Sequence, residues 1–288
     1  MHFLRGLGRD DLAWPLRRLH VPVSSDALVL EVGSGGNPFP RANVLLDAYE
    51  ASRERHYQPL VHDRPTVLGL MENLPFRDGA FDFVIACHVV EHSLDVEASL
   101  RELQRVARAG YIETPDAFFE RINPYQDHRL ELTVRDGILR IRRKRGWRHD
   151  PELVELYEAQ VKPSRGWPEQ FRRNPFPFHM RYFWSREDGG IRYEVAGEAT
   201  GEPIVGPGEE AGSAPEAHPS FRQRLVRGAR AALSQGRRNR RIDLLSLLRC
   251  PKCHGALQRA NRRLECGSCG SVYDSPSLGF ARMLPRPN

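Results

Sequence analysis

The sequence predicts an α/β fold in which a mostly parallel sheet, with an antiparallel hairpin at its end, is followed by a small metal-binding domain. Short apolar runs alternate with polar, helix-compatible segments between residues 27 and 115, and two CxxC pairs close the chain. Such alternation is typical of parallel strands joined by crossovers. With 288 residues and 40% hydrophobic content, the chain is long enough for one large core and a smaller domain.

The strand-like runs come in a regular order. They are ALVLEV, NVLLD, TVLGL, FDFVIAC and GYIET, and the segment LDVEASLRELQRVA before the last run has the apolar spacing of a helix. Only about ten residues separate the first two runs, which is near the minimum for a parallel crossover. We therefore expect the helix between them to be short or absent.

Turn residues predict the elements that follow. The segment LELTVRDGILRIR is expected to form a hairpin that turns at Asp136-Gly137, and FHMRYFWSREDGGIRYEVAG a second hairpin that turns near Gly189-Gly190. Between them, a helix is expected to begin at Asp150, with Pro151 in its first turn.

Composition divides the chain into four parts. Residues 1–200 are expected to form the main domain, with an inserted segment at about 117–180, and residues 201–219 are rich in Gly and Pro and read as a linker. Residues 220–241 have the pattern of a basic amphipathic helix, and residues 242–288 contain the cysteine pairs.

The cysteine pairs predict a structural Zn²⁺ site. Its ligands are Cys250, Cys253, Cys266 and Cys269, because two CxxC pairs at this separation supply four thiolates for a tetrahedral ion. Two disulfides or four free thiols are the alternatives. Thiolate zinc sites persist in reducing compartments, so a cytoplasmic location is expected.

Charge and hydropathy limit the partners. The apolar runs are far shorter than a membrane span, so no membrane association is expected. The net charge is +6, and arginines concentrate in residues 140–148 and 222–241. Such clusters bind polyanions or are simply solvated faces.

A glycine-rich turn points to a nucleoside-containing cofactor. A strand ends near Glu31, the turn contains Gly33, Gly35 and Gly36, and the next strand ends in Asp47. Glycines let backbone amides approach a ligand, and a carboxylate at the end of the second strand can bind ribose hydroxyls. Pro38 stands where a dinucleotide motif has its third glycine, which weakens an NAD or FAD assignment.

The ordered motifs EVGSG, LLD, ENLPFRDGAFDFVIACHVVEH and RVARAGYIETP resemble those of class I S-adenosylmethionine-dependent methyltransferases, in particular the small-molecule-type group with an LPF...FDxV...EH signature. The resemblance covers roughly residues 25 to 197 and implies a Rossmann-like sheet with S-adenosylmethionine as cofactor. It also implies the cofactor-binding residues, which are Glu31, Gly33, Ser34, Gly35 and Gly36 for the methionine portion, Asp47 for the ribose, Leu70, Met71 and Glu72 for the adenine, and Ala86 and His88 near the methyl group. The family usually has an acidic residue at the position of Leu70, so the adenine contact is expected from the backbone or from Glu72.

The tail has its own resemblance. LLSLLRCPKCHGAL, LECGSCGSVYD and ARMLP are similar to the small zinc-ribbon activator of methyltransferases, which is a separate subunit in that family. This implies that the ribbon docks on the methyltransferase domain within one chain and stabilises or activates it. The apolar residues Leu244, Leu245, Leu247 and Leu248 exceed what so small a domain can bury by itself.

Function is expected to be methyl transfer to an unidentified acceptor, with a small molecule or glycan intermediate favoured over RNA. An RNA methyltransferase that uses the basic stretches and the ribbon is the first alternative, and a non-catalytic zinc-ribbon binding protein is the second. If the acceptor must lose a proton, His128 is the candidate base and His92 the second candidate.

Overall fold

The computed structural model describes residues 2–52, 59–148, 150–197, 228 and 232–284. The chain divides into two compact units: the first comprises residues 1–22, 87–94 and 111–209, and the second comprises residues 23–86, 95–110 and 210–288. The predicted linker, residues 201–219, lies outside the described residues. Across the described ranges, no helix has both the length and the apolar character needed to cross a membrane.

The helices are short. They are α1 (His2–Gly6), α2 (Asp10–Leu16), α3 (Val96–Val106), α4 (Ala117–Ile122), α5 (Pro151–Leu156), α6 (Gly166–Arg173), α7 (Gly236–Asn239) and α8 (Leu244–Leu247). The strands are β1 (Val29–Val32), β2 (Val44–Asp47), β3 (Thr66–Leu68), β4 (Phe81–Cys87), β5 (Ala107–Pro115), β6 (Leu130–Arg135), β7 (Ile138–Arg143), β8 (His179–Ser185), β9 (Tyr193–Ala196), β10 (Leu257–Ala260), β11 (Arg263–Cys266), β12 (Val272–Ser277) and β13 (Phe280–Arg282).

The second unit contains the predicted parallel sheet. Strands β3, β2, β1 and β4 lie side by side in that order, and every pair is parallel. All residues of β1, β2 and β3 are buried, as expected for parallel strands that are covered on both faces and therefore consist of apolar runs. The prediction of a mostly parallel Rossmann-like sheet is confirmed.

The connection from β1 to β2 contains no helix, which confirms that prediction. Instead, the backbone is fixed by two buried charged side chains. Glu31 Oε2 accepts a hydrogen bond from the Phe39 N–H at 2.7 Å. Arg64 Nη1 donates to the carbonyl oxygens of Phe39, at 3.2 Å, and Ala42, at 2.7 Å. Charge-assisted bonds of this kind satisfy buried backbone groups that a helix would otherwise pair internally.

The cysteine-rich segment forms an antiparallel meander that continues along the same unit. Strand β10 pairs with β11, β11 with β12, and β12 with β13, all antiparallel. Strand β13 then pairs with β3 in parallel, with Ala281 opposite Val67. The flanking bonds are Thr66 N–H to Gly279 O at 2.9 Å and Met283 N–H to Leu68 O at 2.7 Å.

Helix α3 forms as predicted. Asp95 caps its N-terminus by accepting a hydrogen bond from the Ala98 N–H at 2.9 Å, which satisfies one of the donors left free at a helix start. Its buried face includes Val96, Leu100 and Leu103, at the spacing of one helical stripe.

In the first unit, the predicted hairpin at Asp136-Gly137 is confirmed. Asp136 and Gly137 have φ values of 54° and 71°, as a two-residue turn between antiparallel strands requires. The second predicted hairpin is wrong. Gly189 and Gly190 do form a turn with positive φ, but the strand after it, β9, pairs in parallel with β7 to complete a three-stranded sheet in the order β6-β7-β9.

The remaining helix predictions have mixed outcomes. Asp150 caps α5 through the Leu153 N–H at 3.0 Å, as expected, and a π-helical turn, Tyr157–Val161, follows. Most of the predicted basic helix 220–241 lies outside the described residues. In its described part, helical structure is interrupted at residues 234–235, before α7.

Candidate functional site

The glycine turn lies at the carboxyl end of β1. The N–H groups of Gly33 and Ser34 both donate to Leu46 O, at 2.8 and 3.1 Å, which ties the turn to β2. Gly33 and Gly35 have φ values of 71° and 54°, in the left-handed region that glycine adopts without a steric penalty. The turn can therefore bend sharply beside the strand ends, where α/β sheets bind their ligands.

Asp47, the last residue of β2, faces this turn. Its Oδ2 accepts a hydrogen bond from the Gly35 N–H at 2.9 Å and its Oδ1 accepts one from the Tyr49 N–H at 3.2 Å. These bonds hold the carboxylate at the turn, and a carboxylate accepts hydrogen bonds from hydroxyl groups such as those of a ribose.

Glu31, in β1, and Ser34, in the turn, differ in their hydrogen bonding. Glu31, 2% exposed, binds the Phe39 N–H and thereby shapes the connection to β2. Ser34 is 4% exposed, and its Oγ has no hydrogen-bond partner among the described residues. A buried hydroxyl without a partner is uncommon in folded proteins, so Ser34 fits a turn that a polar ligand completes.

The residues predicted for the adenine follow β3. Met71–Asn73 form a short 3-10 turn, in which Met71 is buried, while Leu70 just before it is 37% exposed. Ala86 lies near the end of β4, opposite Val32 of β1, and is fully buried. These residues, the glycine turn and Asp47 belong to the second unit.

His88 belongs to the first unit and lies between two buried carboxylates. Its Nδ1 is 3.4 Å from Glu91 Oε1 and its Nε2 is 3.5 Å from Glu113 Oε1, while 40% of its side chain is exposed. Burial opposes the charged form, but the carboxylates outweigh it and raise the pKa of His88 to about 9. Both contacts therefore favour the imidazolium form of His88.

The two carboxylates are neutralised differently. Glu113 binds Arg17 through two contacts, at 2.8 and 2.5 Å, and Tyr111 donates to it as well. Burial opposes ionisation of Glu91, yet the ion pair with His88 helps to lower the pKa of Glu91 to about 2. Neither carboxylate oxygen of Glu91 has a hydrogen-bond partner in the described part of the chain. Arg17 and Glu113 were not predicted from the sequence, because 96 residues separate them.

The two candidate bases, His128 and His92, lie together in the first unit. Their rings contact edge to face, with centroids 4.8 Å apart. His128 is buried, and its Nδ1 is 2.7 Å from Glu120 Oε2, while Lys144 Nζ is 2.7 Å from the other oxygen of Glu120. His92 Nδ1 is 3.0 Å from the carbonyl oxygen of Asp127.

The four predicted zinc ligands form one cluster. All their sulfur atoms lie within 4.8 Å of one another, with Cys250 Sγ 3.8 Å from Cys269 Sγ and Cys253 Sγ 3.4 Å from Cys266 Sγ. Four thiolates at a zinc–sulfur distance of about 2.3 Å lie about 3.8 Å apart in a tetrahedron. No disulfide joins these cysteines, and the distances between their sulfur atoms are compatible with a zinc ion.

Comparison with known proteins assigns part of the chain to a family. Residues 30–112 match the family model described as "Methyltransferase domain". A 38-residue segment is 47% identical to ajmaline N-methyltransferase of Rauvolfia serpentina, and the match covers 13% of this chain and 13% of that enzyme.

Two solved structures have partial likeness. A complex of the Trm112 methyltransferase activator of Haloferax volcanii with a putative methyltransferase is 15% identical, with a TM-score of 0.38, over 66% of this chain and 94% of that one. The YcgJ protein of Bacillus subtilis is 19% identical, with a TM-score of 0.28, over 37% of this chain and 50% of that one. At such scores the fold assignment rests on the strand order described above, and the similarity to a methyltransferase domain is that of residues 30–112.

Proposed function

We propose that this protein transfers a methyl group from S-adenosylmethionine to an acceptor. The observation that carries the proposal is the glycine turn closed by Asp47, together with the unpartnered Ser34 hydroxyl, inside the segment that matches a methyltransferase domain. When bound, the sulfonium of the cofactor supplies an electrophilic methyl group. The chain supplies binding and orientation, which are the main requirements of an in-line displacement.

The proposed cofactor contacts divide by chemistry. Asp47 accepts hydrogen bonds from the ribose hydroxyls, and Ser34 binds the polar methionine end, which the turn from Gly33 to Gly36 faces. Glu31 keeps the turn in place through Phe39. Leu70, Met71 and Glu72 contact the adenine, and Ala86 and His88 lie toward the methyl group.

The acceptor that we favour is a small molecule or a glycan intermediate. Aromatic side chains suited to hold an uncharged or flat acceptor gather in the first unit: Tyr125 stacks on His128 with ring centroids 4.7 Å apart, and Trp167 contacts Phe178 at 5.4 Å. Such pairs pack as hydrophobic walls and offer a polar edge at the tyrosine.

RNA is the second candidate acceptor, and one observation favours it. Along β7 the buried residues Leu139 and Ile141 alternate with the exposed residues Arg140 and Arg142. The outer face of this strand is therefore basic. Arg140 has a carboxylate partner, Glu194, but the pair is long, at 3.8 Å, and both side chains are at least half exposed. Basic sheet faces bind phosphate backbones without reading sequence.

The proton-accepting role, where one is needed, is proposed for His128, with His92 as the second candidate. His88 is unsuited to it, because both of its ring nitrogens face carboxylates and its pKa is raised to about 9. An imidazole must be neutral to accept a proton. His128 has the arrangement of an oriented base, with Nδ1 on Glu120.

We also propose that zinc binds the four cysteines and that the ribbon docks on the sheet within the chain. Support comes from the β13–β3 pairing and from the segment before Cys250, where Leu244 and Leu248 are each 1% exposed. The Arg77 N–H donates to Leu247 O at 2.9 Å and the Arg249 N–H to Pro75 O at 3.0 Å. Burial of each leucine contributes about 1.5–3 kcal/mol.

Asp47→Ala tests the cofactor assignment. Loss of the ribose acceptor is expected to weaken binding of S-adenosylhomocysteine, measured by calorimetry, by about 1.5–3 kcal/mol. Asp47→Asn retains an acceptor oxygen for the Gly35 N–H and should lose less affinity. Equal affinity in the wild-type protein and Asp47→Ala would contradict the proposed function.

Transfer from a radiolabelled methyl donor into cell extract identifies the acceptor class, after separation into small-molecule, glycan, RNA and protein fractions. We expect the label in the small-molecule or glycan fraction. The amount of label in that fraction should be the same for the double variant Arg140→Gln/Arg142→Gln as for the wild-type protein. If RNA is labelled instead, and if that labelling decreases in the double variant and at higher salt concentration, RNA is the acceptor and the small-molecule proposal is wrong. Label in no fraction would argue against methyl transfer.

Metal analysis and thermal unfolding test the ribbon. The purified chain is expected to contain about one zinc ion, and Cys253→Ser should lose it, unfold at a lower temperature and bind S-adenosylhomocysteine more weakly. Lys252→Gln serves as the control, because Lys252 is an exposed neighbour that belongs to none of the groups of possible metal ligands in the described residues. Full stability and affinity without zinc would refute the proposed docking.

His88→Gln tests the charge of His88. A raised folded-state pKa means that protonated His88 stabilises the fold below its ordinary value of 6.5, and that this contribution is lost as pH rises through about 9. The variant should therefore be less stable than wild type at low pH, and the difference in urea unfolding should shrink toward pH 9. His20→Gln, at an exposed position of the same unit, should show no such trend. A difference that does not change with pH would disprove the charged state.

A further inference from the structure

The second unit contains a cavity of about 770 Å³ that none of the proposed cofactor residues lines. Three segments form it: residues 62–65 before β3, residues 239–244 between α7 and α8, and residues 276–282 around β13, with Glu50 at one side. Its volume lies within the range of small-molecule sites. The question is which chemistry its lining recognises.

Asn239 provides an unused donor in this lining. Asn43 fixes its orientation: Asn43 Oδ1 accepts hydrogen bonds from the Val29 N–H and Arg41 Nη1, so the Asn43 amide nitrogen must be the donor toward Asn239 Oδ1, at 2.8 Å. The Asn239 Nδ2 group is therefore turned away from Asn43. Asn239 is 2% exposed, and its Nδ2 has no acceptor among the described residues.

The two residues that follow add positive charge. Arg240 and Arg241 are exposed and line the same cavity. No ion pair joins either guanidinium to a carboxylate of the described ranges, because the acidic residues of the lining have other partners, two of which are further arginines of the same lining. Glu50 pairs with Arg282 at 2.7 Å, Asp63 with Arg64 at 2.7 Å, and Asp243 caps α8. The cavity thus has an excess of donors and of positive charge.

An apolar surface lies beside these donors. Phe280 contacts His62 edge to face, with ring centroids 6.1 Å apart, and the Arg282 guanidinium lies 5.0 Å from the Phe280 ring centroid. Leu278, in the turn before β13, is 76% exposed. A flat, partly apolar group can pack on such a surface, because aromatic and guanidinium planes stack on π-systems.

We propose that this cavity is a second ligand site, which binds a phosphomonoester carried on a flat organic group. Arg240 and Arg241 bind the phosphate through N–H donors, since phosphate oxygens accept several charge-assisted hydrogen bonds at once, and Asn239 lies beside them in the lining. Phe280 and His62 contact the organic group. The site lies outside the residues proposed for S-adenosylmethionine, so a ligand there can be bound together with the cofactor.

Calorimetry of the full chain with uridine 5′-monophosphate tests the site, both with and without saturating S-adenosylhomocysteine. The titration without S-adenosylhomocysteine measures the second site by itself, so its result does not depend on whether the methyltransferase proposal is correct. The double variant Arg240→Gln/Arg241→Gln is expected to lose about tenfold or more in affinity. Arg237→Gln, an exposed neighbour that does not line the cavity, should bind as wild type does.

Asn239→Asp provides a second variant. It retains an oxygen for the Asn43 bond but replaces the donor by an acceptor that repels phosphate, so binding should fall while thermal unfolding verifies the fold. Uridine, which lacks the phosphate, should bind more weakly than the monophosphate. Absence of binding at millimolar concentration, equal affinity in all variants, or inorganic phosphate binding as tightly as the nucleotide would overturn the proposal.

Discussion

The short connection between β1 and β2 is the constraint on which the second unit depends. A parallel crossover ordinarily takes about a dozen residues or more and contains a helix, and here residues 33–43 complete it without one. Backbone groups that a helix would pair internally must find other partners. Glu31, Arg64 and Asp47 supply them. The same residues thereby fix the glycine turn, so the architecture and the proposed cofactor site share one set of hydrogen bonds.

Local patterns in the sequence were sufficient for much of this arrangement. The apolar runs predicted β1 to β5, the apolar spacing of LDVEASLRELQRVA predicted α3, and Asp150 marked the start of α5. These patterns suffice because strand burial and capping depend on neighbouring residues. The partner of β9 was not predictable in this way. Gly189 and Gly190 carry a hairpin signal, but the choice of β7 over β8 depends on packing between distant segments. The same holds for the Arg17–Glu113 pair. The cluster of four cysteines, in contrast, was predictable from their spacing alone.

Buried carboxylates organise the first unit. Glu113, Glu120 and Glu131 are each at most 2% exposed, and each binds a long cationic side chain: Arg17, Lys144 or Arg121. Glu91 differs, because its partner is the shorter and partly exposed His88. A buried charge without a partner is strongly destabilising. This requirement gives a physical reason for the positive φ of His88, 54°, an unusual conformation for a residue with a side chain.

The ribbon strands and the sheet strands belong to one polypeptide, and this continuity changes the thermodynamics of their association. With the ribbon docked as proposed, pairing of β13 with β3 is a unimolecular equilibrium. Dilution does not shift it, and each chain carries one ribbon for one sheet. A separate activator subunit is distributed among its partners according to their abundance and affinity. In a fused chain that competition is absent. With zinc bound as proposed, metal supply rather than subunit supply becomes the quantity to which assembly responds.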